Sequence, residues 1–465
     1  MKQGRKQGSI TVFLSMILLV LLSIVTQVLG EAMHQADRIK LVSSMELSLQ
    51  STLAEYDVEL LEQYGLFFLA ATREEVLSQM DYYLYRNVEN TGGMVQMTLE
   101  EEKVEALELA TDNKGMVYYR EAVDAESQRI GKHAIQQAEE LLENYKKGED
   151  SHKTLDSNQV SKEELKVPED LQVDEAAKEQ AESIVNPVDV IAAIKQNGVL
   201  GLLTYDIPLS AATIPLDTTL QRRKLNQGSY ESTYQSGISD EILFNLYLKY
   251  NFSNFREGSG AYTKAQGMIY QQEYIIAGKE SDKKNLKEVV EKMLWIREGV
   301  NFVYLLSDKA KIAQADALAT ALVGYTGIAP LVVAMKFAIL AVWAYGESLL
   351  DVRVLLKGGR VEFVKTAENW RLSLENLANV TEVLKGNVSG DNTGMSYEDY
   401  LFLFLNVVSK ENRCYRSMDI IEQQMKLYVG KSNFRMDNCV AYIKATASAE
   451  SRTGKLITVS KGMGY

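Results

Sequence analysis

Residues 10–29 read ITVFLSMILLVLLSIVTQVL, a run of twenty without one ionisable side chain. At about 1.5 Å per helical residue the run spans roughly 30 Å, the thickness of a bilayer's hydrocarbon core. Lys2, Arg5 and Lys6 precede it and Glu31 follows it. The positive-inside tendency therefore holds the N-terminus in the cytoplasm and sends the rest across. A cleaved secretory signal is the competing reading, with Val28-Leu29-Gly30 as a small-residue cleavage site, but its apolar region usually runs only about 7–15 residues. The length favours a retained helix. The expected location is the plasma membrane, single-pass, with a cytoplasmic N-terminus, an extracytoplasmic bulk, and the lipid bilayer as first partner.

The helical pattern continues past the apolar run. Val25, Val28, Ala32, Gln35, Ile39, Val42, Glu46, Leu49, Leu53, Tyr56 and Leu60 recur at alternating spacings of three and four, a heptad seam with two polar exceptions. No proline interrupts it, and Gly65 offers a stop just beyond. One helix of some fifty residues follows. Ala32, Ile39, Val42, Leu49, Leu53, Tyr56 and Leu60 are the candidate assembly seam, which would serve self-association. The alternative is a stripe that packs on the chain's own body, above all beyond Ile39.

Charge narrows the partners. Because Lys2, Arg5 and Lys6 contribute +3 to a net charge of −13, residues 31–465 carry −16. An acidic body repels phosphates and offers no basic stripe, so no nucleic-acid partner is expected. Cys414 and Cys439 lie 25 positions apart. Outside a cell they would pair across a loop worth roughly 3 kcal/mol. The alternative is two separate buried thiols.

Helical patterns recur at residues 74–85, 100–109, 116–147, 241–250, 282–306, 309–321, 397–408 and 417–428. Residues 148–182 lose apolar periodicity and carry many charges, reading as a linker or mobile insertion. Residues 268–276 alternate weakly, as a strand would. Residues 317–345 form a second apolar stretch with Lys336 as their only charge, broken by Gly324, Gly327 and Pro330. Neither half spans about 30 Å, which predicts a buried helical hairpin. Residues 439–447 and 455–461 alternate around Thr453-Gly454 and predict a terminal β-hairpin. The expected fold is mainly α with a small β component. Its parts are a basic leader (1–8), a transmembrane helix (9–30), a helical membrane-proximal region (31–147), the charged linker (148–182) and a mainly helical domain (183–465).

Catalytic and metal signatures do not emerge, and no cofactor is expected. His34, His133 and His152 have no cysteine or second histidine at a ligand spacing. No G-x-S-x-G elbow occurs. Gly430-Lys431-Ser432 resembles the end of a phosphate loop, but Met425 stands where the first glycine belongs. Asp391 and Asn392 begin like a calcium loop whose later ligands are missing. Twenty-five tyrosines against twelve phenylalanines suit either interfaces or the edges of a helical core.

The first residues, GRKQGSITVFLSMILLVLLSIV, resemble a type IV prepilin or pseudopilin leader: a short basic segment, a glycine, then a long helix. The resemblance implies cleavage after Gly8, leaving Ser9 as the new N-terminus. Phe13 departs from the glutamate common at the fifth mature position. In the body, SLQSTLAEYDVELLEQYGLFFL (48–69), EILFNLYLKYNFSNF (241–255), EYIIAGKESDKKNLKEVVEKMLWIREGVNFVYLLSD (273–308) and YGESLLDVRVLLKGGRV (345–361) resemble an uncharacterised family of clostridia and related Gram-positive bacteria. Members of that family tend to be encoded beside Tad/Flp pilus genes and look like large TadE/TadG-type pseudopilins. The resemblance implies genomic association with pilus assembly; the leading expectation is an accessory component of a Tad-type pilus or secretion apparatus with partners among Tad/Flp assembly proteins or pilins, and, since no catalytic constellation emerges, no enzyme. The rival reading is an anchored surface module for adhesion or ligand binding, which an exposed tyrosine-rich groove in 241–276 would favour. An extracellular enzyme is the third.

Overall fold

In a computed structural model of the chain, the described residues are 7–89, 97–161, 163–168, 174–230, 236–257, 267–386 and 388–465. The basic leader's Lys2, Arg5 and Lys6 lie outside them, as do residues 162 and 169–173 of the expected linker. In chain order the elements are α1 (Gln7–Leu53), α2 (Val58–Tyr64), β1 (Leu69–Ala70), α3 (Arg73–Glu89), β2 (Met97–Leu109), α4 (Asp112–Arg129), α5 (Lys132–Ser157), α6 (Glu175–Glu182), α7 (Pro187–Asn197) and α8 (Leu200–Leu203). Then follow α9 (Ile238–Asn251), α10 (Gln271–Ala277), α11 (Asp282–Ser307), α12 (Lys309–Val323), α13 (Ala329–Leu356), α14 (Val380–Lys385), α15 (Tyr397–Val407), α16 (Lys410–Leu427), β3 (Cys439–Ser451) and β4 (Leu456–Gly464). The fold is mainly α with one small antiparallel sheet. It divides into two compact units, one of Met1–Glu121, Lys224–Tyr234 and Asn433–Tyr465, the other of Ala122–Arg223 and Gln235–Ser432.

In the first unit, β3 is the central strand, paired antiparallel with β2 on one side and with β4 and the short β1 on the other. The terminal hairpin is therefore present, with Gly454 at φ 75° in its turn, a conformation that costs glycine little. Ala445, Ala447 and Ala449 alternate along the buried face of β3. These small side chains leave room for helices to lie close on the sheet. Leu41, Met45, Leu49 and Leu53 of α1 fill that room with Val76, Met80, Leu84 and Val88 of α3. Both sets repeat every four residues, one stripe per helix. Between the helices, Ser48 Oγ donates to Met80 O at 2.8 Å and Lys40 Nζ to Val88 O at 3.0 Å.

Several expectations change here. Residues 100–109 belong to strand β2, not to a helix. Their Glu- and Ala-rich composition favours a helix locally, but pairing along β3, for instance Val104 with Ala445, overrides it. The long helix α1 ends at Leu53, so Tyr56 lies in a connection and Leu60 in α2. Gly65 terminates α2, at φ 69°.

The second unit is helical. α11 packs against both α5 and α13, and α12 folds back on α13. The expected linker is helix up to Ser157, because α5 crosses α11 where both backbones are bare. A Cβ on Gly299 would lie 2.7 Å from the His152 backbone nitrogen, and one on Gly148 would lie 2.9 Å from the Ile296 side chain. That close crossing buries His152 and Leu155. The remainder of the stretch carries the short helix α6 and not a continuous coil. The single helix expected at 116–147 is two, α4 and α5, broken at Ile130-Gly131. Residues 271–277 form α10, not a strand; residues 272–276 are all buried, so their alternation reports no exposed face. The apolar stretch 317–345 is the hairpin α12–α13, turning at Gly327 (φ 68°), with Pro330 in the first turn of α13. Lys336 pairs with Asp316 across it at 3.4 Å.

Candidate functional site

α1 changes character along its length. Every large apolar side chain in residues 10–29 is exposed, from 42 % at Ile17 to 65 % at Leu18 and Leu19. From Leu41 onward the apolar stripe is buried in the first unit. An exposed Leu or Ile forgoes roughly 1.5–3 kcal/mol that burial would supply, so a run of this length in water is costly. Lipid removes that cost if the polar groups in the run are satisfied. They largely are: Ser15 Oγ donates to Thr11 O at 2.5 Å, Ser23 Oγ to Val20 O at 3.1 Å, and Thr26 Oγ1 to both Leu22 O and Ser23 O at 2.9 Å. These hydroxyls bond within the helix and ask nothing of the solvent.

Gly8 and Ser9 fall in the first turn of α1. The assembly seam is only partly what its spacing promised. Leu49, Leu53 and Leu60 are buried in the chain's own body, Val42 and Tyr56 are half-buried, and Ala32 and Ile39 are exposed. The true buried face steps through Leu41, Met45, Leu49 and Leu53, so the packing stripe beyond Ile39 is intramolecular. Cys414 and Cys439 are free thiols, each buried, in different units. The pairing considered above is not formed.

Two places in the second unit where chemistry-bearing groups gather bear on a site. Asp351 of α13 accepts from Arg297 (2.8 Å), Lys365 (2.7 Å) and Arg371 (2.9 Å). Lys365 also reaches Glu347 at 2.6 Å, and Arg371 reaches Asp391 at 2.6 Å. Burial alone would raise the Asp351 carboxyl, but Arg297, Lys365 and Arg371 outweigh it and hold the group below the usual carboxylate range. At Glu347 burial prevails and the carboxyl is raised. The Arg297, Asp351, Glu347 and Lys365 side chains have no solvent exposure, so the cluster ties α11 and α13 to the 360–371 loop and admits no substrate. Asp391 is thereby held by Arg371 and does not head an open calcium loop.

The second place is an open cavity of about 430 Å³, lined by Tyr145, Glu288, Glu291, Trp295, Phe404 and Val407 among others. Trp295 is 40 % exposed, and one of its faces is stacked on His152 at 4.1 Å. Sequence reasoning missed this site, because its walls come from α5, α11 and α15. The tyrosine-rich groove looked for in 241–276 is not its counterpart: Tyr247, Tyr270 and Tyr274 are core residues, and only Tyr250 is well exposed among the described ones.

What the geometry defines is a mainly helical two-unit protein with an apolar N-terminal helix long enough to enter a bilayer. The same length and composition suit an anchor or a signal sequence. The chain belongs to a family of unknown function, DUF5702, whose sequence model matches residues 177–451. Three of the four body segments quoted above lie inside that match, and 48–69 lies before it. No curated protein and no solved structure matches the chain.

Proposed function

We propose that the protein is a membrane-anchored, pseudopilin-like accessory component of a Tad/Flp-type pilus or secretion apparatus. The observation that carries the reading is the division of α1, one uninterrupted 47-residue helix. Its first half offers mostly apolar surface with the Ser15, Ser23 and Thr26 hydroxyls bonded within the helix, and its second half is built into a folded unit. Lipid, or a bundle of similar helices, is the environment that suits the first half. The leader resemblance at Gly8-Ser9 and the pilus-gene association of the resembled family support the apparatus. In this reading the anchor is single-pass, with the folded units outside the cell.

N-terminal sequencing of membrane-extracted protein tests the processing. A Ser9 start is expected from prepilin cleavage, whereas a Glu31 start means signal-peptidase cleavage and removes the anchor. Deletion of the gene, combined with pull-down of Tad platform and pilin proteins, tests the apparatus. Unchanged pilus assembly and export would refute it.

The cavity beside Trp295 favours a second reading, an anchored surface module that binds a small ligand. Its mostly apolar walls, with Glu288, Glu291 and Lys292 beside them, suit a ligand with an apolar face and a polar end. Loss of ligand-dependent adhesion in Trp295→Ala, with pilus assembly intact, would select it.

A further inference from the structure

β4 runs alongside α1 in the opposite direction, and three contacts fix the register. Tyr465 Oη donates to Leu53 O at 2.5 Å, Lys461 pairs with Glu46 at 2.7 Å, and Lys455 pairs with Glu31 at 3.1 Å. The lengths agree. Six strand residues from 455 to 461 cover about 20 Å, and fifteen helical residues from 31 to 46 cover about 22 Å. α1 therefore acts as a ruler for the hairpin. Ser451 and Lys455 close the turn, Ser451 N–H donating to Lys455 O at 2.9 Å. Arg452, Thr453 and Gly454 project beyond that closing pair, toward lower α1 numbers. Because Lys455 pairs with Glu31, these three residues are directed toward the end of the uncharged run.

We propose that the β3–β4 turn is a second membrane contact, in which Arg452 and Leu456 engage the phospholipid headgroup layer beside α1. The inference rests on the anchor reading of α1 and adds the surface that meets the bilayer next to it. Leu456 is 62 % exposed and Met33, just over one helical turn beyond the run's end, is 47 % exposed. Apolar side chains of this kind are stabilised at the boundary between headgroups and acyl chains. Lys455 is neutralised by Glu31. Arg452 is exposed and has no ion-pair partner among the described residues, which leaves its guanidinium to take a lipid phosphate in a two-point hydrogen bond. Such a contact would stop the folded unit from tilting about the end of its anchor.

The test uses full-length protein in vesicles of phosphatidylcholine and phosphatidylglycerol, with one environment-sensitive fluorophore per variant at Leu19→Cys, Thr453→Cys or Ala54→Cys. Nitroxide-bearing lipids serve as quenchers. The Leu19 label should be quenched by acyl-chain nitroxide, and the Thr453 label by headgroup nitroxide at least threefold more than the Ala54 label. Position 54 follows the last residue of α1, roughly 34 Å by helix rise from the level of Glu31. Adding Arg452→Glu should lower the quenching at Thr453 about twofold or more. If Leu19 is quenched while Thr453 is no more quenched than Ala54, the turn stands clear of lipid and the inference fails with the anchor intact. If Leu19 itself is unquenched, the anchor reading fails and takes the inference with it.

Discussion

Glu273 is wholly buried in α10, and its Oε1 accepts from Tyr397 Oη at 2.6 Å and from the Phe255 N–H at 2.8 Å. Oε2 has no hydrogen-bond partner among the described residues. Burial, reinforced by the nearby Asp282, pushes the carboxyl up to about 7 from an ordinary 4.5. A carboxyl raised in the folded state binds a proton more tightly there than in the unfolded chain. Its stabilisation is complete below the unfolded value and is lost as pH rises through the folded one. Between pH 4.5 and 7 the second unit should lose roughly 3 kcal/mol at most through this group, at about 1.4 kcal/mol per pH unit. Asp419, also pushed up to about 7 by burial, adds a loss of the same sign. Asp351 does not oppose it in this window. Its depressed carboxyl contributes stability that is lost only as pH falls through a value below the usual range.

Glu273→Gln imitates the protonated side chain and keeps an acceptor for Tyr397 and Phe255. The variant should match the parent within about 1 kcal/mol at pH 4.5 and exceed it by about 2–3 kcal/mol at pH 8.5. Urea unfolding of the full chain in detergent, followed by tryptophan fluorescence, reads this directly. All three tryptophans, Trp295, Trp343 and Trp370, lie in the second unit. A variant-minus-parent difference that stays flat from pH 4.5 to 8.5, or a variant less stable at pH 8.5, would refute the reasoning.

The remaining predictions concern packing, charge and thiols. Leu49→Ala removes a fully buried side chain between α1, α3 and the sheet, at a cost of about 2–5 kcal/mol; amide exchange in β3 should accelerate at least about tenfold, and unchanged protection would mean α1 is not part of that core. Asp351→Asn leaves three cations around a neutral amide and should cost about 3–5 kcal/mol in tryptophan-monitored unfolding, whereas Lys153→Ala, in an exposed pair with Asp150, should leave it unchanged. Burial pushes the Cys414 thiol up to about 12; in native full-length protein neither thiol should react with maleimide at neutral pH, and both should react after unfolding without reductant, a result that a disulfide would prevent.

What could be read from the sequence depended on whether the deciding interaction was local. The run at 10–29, the turn at Thr453-Gly454 and the α12–α13 hairpin all rest on residues within a few positions of one another. Each appeared where composition and turn chemistry put it. β2 did not, because its glutamates favour a helix and its partner strand lies some 340 positions away. The α1 stripe was misplaced by a residue or two: a 3–4 spacing chosen to continue the apolar run selects Ile39 and Glu46, while the sheet and α3 select Leu41 and Met45. Helix periodicity names a set of candidate faces, and only the partner chooses one.

The charged residues carried the least information. Arg297, Glu347 and Asp351 interrupt otherwise apolar helical patterns, where a charge ordinarily marks a solvated face. Their burial becomes affordable only because Lys365, Arg371 and Asp391 arrive from a loop and a turn with no recognisable pattern of their own. Three cations then meet three carboxylates, four of the six groups without solvent exposure, and removing one of those four leaves a buried charge without its partner. The same logic governs Glu273 and Asp419, which have too little positive charge nearby and remain protonated more readily instead. Net charge, −16 for residues 31–465, therefore describes how the surface meets solvent and partners. It does not describe the interior, where Asp351 is paired and Glu273 and Asp419 are pushed toward the neutral form.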